Sequence, residues 1–186
     1  MNIIDRLNKL AEVISDDNTA KRISQAAAFR VIAEYKNRIF RLGLDSSGNS
    51  IGVYSTNPFY VNPTTLIGVK SSAVVPMGKY GNKVFKNGQP HKTKYLTDGY
   101  SELRNLTGRQ NATVDLNFSG SVFQSVQVRQ EGKDSYVSYT SQKSIDIMEG
   151  QEVRFGTDIM PPTEQEIADG QEAGQLELLA ILEELD

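Results

Sequence analysis

The segment AKRISQAAAFRVIAEYKNRIFRLG, helical by its pattern over about residues 20–42, constrains the architecture more than any other stretch of the chain. Ile23, Ala27, Val31, Ile32, Tyr35, Ile39 and Leu42 recur at the spacing of one helical face. Gly43 stands where a glycine in the left-handed conformation would close the helix. The other face carries Lys21, Arg22, Arg30, Lys36, Arg38 and Arg41. A basic stripe of this kind can contact nucleic acid, and it can equally be a solvated helix face.

A helix with a basic back raises the question of where the acids lie, and they lie at the other end. All 20 Lys and Arg are at or before Arg154, whereas nine acids, from Asp158 to Asp186, follow it. The first 154 residues therefore hold 14 acids and an excess of six positive charges, although the whole chain carries −3. That division fits a nucleic-acid binder with a self-masking tail, a subunit whose tail docks on a neighbour's basic face, or a solvated acidic helix. In the tail, Pro161-Pro162 precede Thr163-Glu164-Gln165-Glu166, a capping-box pattern. The helix that follows has Ile167, Leu176, Leu179, Ala180, Leu182 and Leu185 as its apolar side, with Gly170 and Gly174 weakening its first half.

The remaining segments predict an α+β fold. Residues 2–15 place Ile3, Ile4, Leu7, Leu10, Ala11 and Ile14 on one helical face, ended by Asp16-Asp17-Asn18. Residues 43–97 have no long periodic run and read as a loop-rich excursion anchored by Tyr54, Phe59, Tyr60, Tyr80 and Phe85. Asp98 is placed to cap a short helix over 99–107. Val114, Leu116 and Phe118 alternate with polar residues as in a strand; SVFQSVQVRQ reads as a helical turn entering a strand, and SYVSYTS as the returning strand. The expected architecture is an antiparallel β-sheet packed against the long N-terminal helix, with a long loop excursion and a C-terminal helix. The expected organisation is a single domain over 1–160 and an acidic helical arm over 161–186.

Motifs for chemistry are few. With no cysteine, thiolate catalysis, disulfides and cysteine-based metal sites are excluded. The one histidine, His91, sits in GQPHKTK, and no G-x-S-x-G elbow accompanies it. Neither phosphate-binding glycine motif is present, and DSSGNS at 45–50 lacks the spacing of a calcium loop and reads as a turn. The N-x-[ST] matches at Asn105, Asn111 and Asn117 read as chance in a polar segment. No apolar run reaches the roughly 18–20 residues of a membrane span, and the charged start lacks a signal-peptide core. The expectation is a soluble protein, cytoplasmic at synthesis, that is not an enzyme and uses no cofactor or metal.

The order of features carries a resemblance. YKNRIFRLGLDSSGNSIGVYS followed by KTKYLTDGYSELRNLTGRQNATVDLNFSGSVFQSV resembles the tail-completion or head–tail connector proteins of tailed phages that infect Bacteroidetes, the crAss-like phages among them. More distantly it is similar to minor tail and tail-completion families through Leu116, Ser119-Gly120, Val122 and Ser125. The resemblance covers roughly residues 20–160. It implies a structural virion protein, a ring-forming neck subunit joining the portal complex to the tail. Its partners would be further copies of itself and the portal, adaptor and tail proteins, with DNA only as the channel's contents and no membrane. It would reside in the virion, and in the host cytoplasm during assembly. A tail-tube terminator, another minor virion protein, or a DNA-contacting module using Arg22, Arg30, Arg38 and Arg41 are the alternatives. In the ring reading, residues 45–95 and 163–185 are the main assembly elements, with Arg104 and Arg109 at the rim and Leu176, Leu179 and Leu182 on the C-terminal helix.

Overall fold

A computed structural model describes residues 3–62, 83–84, 90–91, 94–116 and 119–184. The chain divides into two compact units, Met1–Ile51 together with Asp115–Asp186, and Gly52–Val114. This differs from a single domain over 1–160 with a separate arm, because the C-terminal helix packs inside the first unit.

The first unit is built around α2. Helix α1 (Ile3–Ser15) and α2 (Asp17–Asn37) are separated by one residue, Asp16. Its carboxylate accepts the Thr19 N–H at 2.9 Å, so the Asp-Asp-Asn stretch begins the second helix and does not interrupt the chain for three residues. Asp17 then lies in the first turn, where the helix dipole favours an acid. The last turn widens into a π-helical segment, Arg38–Leu42, and Gly43 closes it in the left-handed conformation at φ 66°.

One side of α2 carries a β-hairpin, β5 (Val126–Glu131) and β6 (Asp134–Tyr139), paired from Val126↔Tyr139 to Glu131↔Asp134. Ala28 and Tyr35 are buried there, and the Tyr35 and Tyr139 hydroxyls meet at 2.7 Å. A five-residue helix, α4 (Ser121–Ser125), leads into the hairpin from Gly120, whose φ of 78° makes the turn a residue with a Cβ would resist. Phe123 of that helix meets Phe40 edge to face, with the Lys36 ammonium 4.5 Å above its ring. The expected sheet on a long helix is therefore present, as a two-stranded one.

Helix α5 (Gln142–Phe155) was not foreseen. Ile145, Met148 and Phe155 have its spacing, but Gly150 and five charged side chains, Glu152 on that same face among them, dilute the pattern. Met148 alone is fully enclosed, and the Glu152 carboxylate is spent on the Ile159 and Met160 amides at 2.7 and 2.8 Å. Helix α6 (Glu164–Glu183) completes the unit.

In the second unit, β1 (Phe59–Val61) pairs antiparallel with β4 (Lys94–Leu96), and β2 (Lys83–Val84) with β3 (Pro90–His91). The excursion is thus not wholly loop. Helix α3 (Gly99–Leu106) begins differently from expectation: Asp98 makes no side-chain cap. Instead the Tyr100 and Ser101 amides donate to Ser55 O at 2.8 and 3.2 Å, and Glu102 accepts the Asp98 N–H at 2.9 Å. Gly99 permits this approach, since a Cβ there would stand 2.6 Å from the Ser55 and Asn57 carbonyl oxygens, at a φ of +64°.

The strand expected around Val114 to Phe118 is not formed across 114–116. Val114 and Asp115 are both buried, which breaks the alternation, and Leu116 adopts a left-handed φ of 49° that a strand cannot contain. Phe118 lies outside the described residues. Among the described residues, no helix is long and apolar enough to cross a membrane.

Candidate functional site

The seam between α2 and α6 carries a row of opposed charges. The capping box forms as the sequence predicts: Thr163 Oγ1 accepts the Glu166 N–H at 3.0 Å, and the Glu166 carboxylate accepts the Thr163 N–H at 2.8 Å. The same carboxylate is the partner of Arg38, at 2.7 Å from Nε and 3.4 Å from Nη2. Arg38 donates further to the carbonyls of Leu44, Ile159 and Pro161 at 3.3, 3.1 and 3.0 Å, so this buried guanidinium is fully engaged. A buried pair is tolerable only when its remaining donors and acceptors are satisfied in this way.

Farther along the seam the pairs become exposed. Arg30 reaches Glu34 at 3.1 Å and Asp169 at 3.7 Å. Arg22 bonds Glu177 at 2.9 Å and Glu184 at 3.1 Å. The hydrogen bond to Glu184, then that to Glu177, raises the Arg22 pKa, while Arg22 in turn lowers that of Glu184. Three of the four arginines proposed as a DNA-contacting stripe therefore face acids of their own chain; Arg41 is exposed.

Glycines set the distance between these helices. A Cβ on Gly170 would stand 2.5 Å from Val31 Cγ2 and 3.2 Å from the Ala27 carbonyl oxygen; on Gly174 it would meet Ile23 Cγ2 at 3.4 Å and Ala27 Cβ at 3.6 Å. The two glycines are the contact surface rather than weak points of the helix. The buried side of α6 is Glu166, Gly170, Gly174 and Ile181. The apolar side read from the sequence is turned mostly outward: Leu176 is 60% exposed and Leu179 55%, Ile167 and Ala180 are exposed, and Leu182 is half-buried.

At the N-terminal end of α6 an open cleft of about 710 Å³ is lined by residues of α2, the 46–48 turn and α6, including Asn37, Ser47 and Gln165. Asp45 organises that turn. Its carboxylate accepts the Ser47 and Asn49 amides at 2.9 Å each and the Thr157 hydroxyl at 2.6 Å. Burial opposes its charge, but these hydrogen bonds and Arg38 outweigh it and hold the carboxyl below its ordinary range. DSSGNS is a turn, as its sequence indicates.

The aromatic and arginine residues expected on a contact surface are divided. Tyr54 is buried against Tyr100, ring centroids 5.3 Å apart, and Arg104 stacks over it at 4.6 Å. Arg104 is only 1% exposed and donates through Nε to Gln110 O at 2.6 Å, so it belongs to the interior of the second unit and not to a rim. Tyr60 pairs with Tyr95 at 4.9 Å, Phe59 and Arg109 are half-buried, and Tyr80 and Phe85 lie outside the described residues. Phe29, 55% exposed on α2, is an apolar surface residue that helical periodicity alone did not single out.

Among the described residues, no group of three or more His, Cys, Asp or Glu is placed to hold a metal ion. Compared with known protein families, curated proteins and solved structures, the chain matches none.

Proposed function

We propose that the protein is a structural subunit of a tailed-phage virion, a neck or tail-completion protein that forms a ring between the portal complex and the tail. The observation that carries the reading is the outer side of α6, where Leu176 and Leu179 stand exposed while the acids Glu166, Asp169, Glu177 and Glu184 are held by the same chain's α2. A cyclic ring joins one patch to a different patch on the next copy. With those four acids engaged, α6 offers a neighbour its leucines, flanked by the exposed Glu172 and Glu183, which relocates the contact expected of an acidic tail. The likeness of residues 20–160 to tail-completion proteins supplies the virion context, and the same outer face would serve a tail-tube terminator. The DNA-contacting alternative is weakened by the internal pairing of Arg22, Arg30 and Arg38.

The test is solution mass by light scattering on a size-exclusion column, with and without the proteins encoded by neighbouring genes. A defined ring with a portal or adaptor protein, lost in Leu176→Ser/Leu179→Ser, supports the reading. A monomer that ignores every virion protein yet binds DNA with a steep salt dependence overturns it.

A further inference from the structure

Two exposed helix stripes of the first unit share one spacing and carry opposite charge. On α6, Glu172, Leu176, Leu179 and Glu183 fall at i, i+4, i+7 and i+11, and all four are exposed. On α5, Lys143, Ile147, Gly150 and Arg154 fall at the same intervals, and these four are exposed as well. Residues so spaced lie within about 60° of one another around a helix and extend for roughly 16 Å along it. Each stripe therefore has charges of one sign at its two ends and a middle open to apolar contact.

The middles also match. A Cβ on Gly150 would meet nothing within 4 Å, so the α5 stripe has a notch at its centre where a leucine can seat. Ile147 stands on one side of the notch, and Val153, a turn beyond Gly150, is 85% exposed. Among the described residues, Lys143, Arg154, Glu172 and Glu183 form no ion pair. The acids of α5 do not cancel its basic ends. Asp146 accepts from Gln142 Nε2 at 2.8 Å, Glu152 is held by backbone amides, and Glu149 lies about a third of a turn around the helix from the stripe.

We propose that the α6 stripe of one copy docks on the α5 stripe of the next. Charge selects this pairing over its rivals. Packing α6 on α6, or α5 on α5, sets like charges together at both ends in either direction, whereas α6 on α5 sets acid against base at both. The inference rests on the ring reading and supplies its second surface. Two different patches on one unit are what a head-to-tail contact requires.

The experiment is solution mass by analytical ultracentrifugation on three full-length chains, each first shown to be folded by circular dichroism. They are the wild type, Leu176→Ser/Leu179→Ser, and Lys143→Glu/Arg154→Glu. The wild type should self-associate, and reversing the two basic ends should weaken that association about a hundredfold, roughly tenfold for each contact. Each variant keeps one of the two surfaces, so an equimolar mixture should give a one-to-one dimer and nothing larger. Adding Glu172→Lys/Glu183→Lys to the Lys143→Glu/Arg154→Glu chain should restore self-association. Association lost in the leucine variant but intact in the Lys143/Arg154 variant overturns docking on α5 and leaves the outer side of α6 as the contact, with another partner surface. Association indifferent to both variants overturns this pairing and the α6 reading together. A wild type that is monomeric alone, even if it forms a ring with a portal protein, overturns the pairing only.

Discussion

The two sides of α6 invert the usual relation between hydropathy and burial. The side against α2 presents Glu166, Gly170, Gly174 and Ile181, and the side facing solvent presents Leu176 and Leu179. What makes the first side an interior is close approach: glycines let two helices touch along their backbones, and a capped, fully bonded ion pair closes one end. What leaves the second outside is that nothing described in the same chain covers it. A helix can therefore be held by its least apolar stripe while its most apolar one remains available for association.

The largest effect should come from opening the inner side at its charge. Glu166→Ala strands the Arg38 guanidinium in the interior and removes half of the capping box. A loss of about 3–5 kcal/mol is expected from chemical denaturation. A loss below about 1 kcal/mol would mean that Arg38 reaches solvent, and the inner side would not be the interior that its geometry implies.

The glycines sharpen the comparison next. Alanine is worth roughly 1 kcal/mol more than glycine in an exposed helix, so any loss measures the seam. Gly170→Ala puts a methyl against the stiff Val31 side chain and the Ala27 carbonyl and should cost about 2 kcal/mol. Gly174→Ala meets ordinary contact distances and should be neutral or stabilising by up to about 1 kcal/mol. Opposite signs four residues apart, read as shifts of the denaturation midpoint, would locate the point of closest approach; equal signs would remove it.

These residues also explain what the sequence could and could not disclose. Local rules were sufficient for α2, the Gly43 stop, the β5–β6 hairpin and the capping box, because each depends on neighbours within a few positions. Periodicity failed where tertiary contact replaced it: Gly170 and Gly174 looked like helix weakness, and Arg38 and Arg104 like surface charge, though both arginines are interior. Charge asymmetry disclosed a basic body and an acidic tail; nothing local could say that the two meet in one chain's seam. Helix α5 stayed hidden because Met148 is its only fully buried apolar residue.

Asp45 touches the inner side at one remove, through Arg38, and its effect is smaller. Its folded pKa lies below the ordinary value. Its contribution is therefore complete above the unfolded pKa, near 4, and is lost as pH falls through the folded one. Asp45→Asn should cost about 1–2 kcal/mol at pH 7. It should also flatten the decline in stability below about pH 4, measured as midpoint against pH. An unchanged acid limb would detach Asp45 from the seam.

The smallest effect on folding belongs to the outer side, and there smallness is the informative result. Leu176→Ser and Leu179→Ser change side chains more than half exposed, so each should shift the unfolding free energy by no more than about 0.5 kcal/mol. The two faces would then separate cleanly, with inner substitutions altering stability and leaving solution mass unchanged while the protein stays folded, and outer ones doing the reverse. If the serine variants instead cost about 2 kcal/mol or more, comparable to emptying a core position, the leucines are covered within the chain in solution. The inversion would then fail, and α6 would have no free apolar side to offer the next subunit.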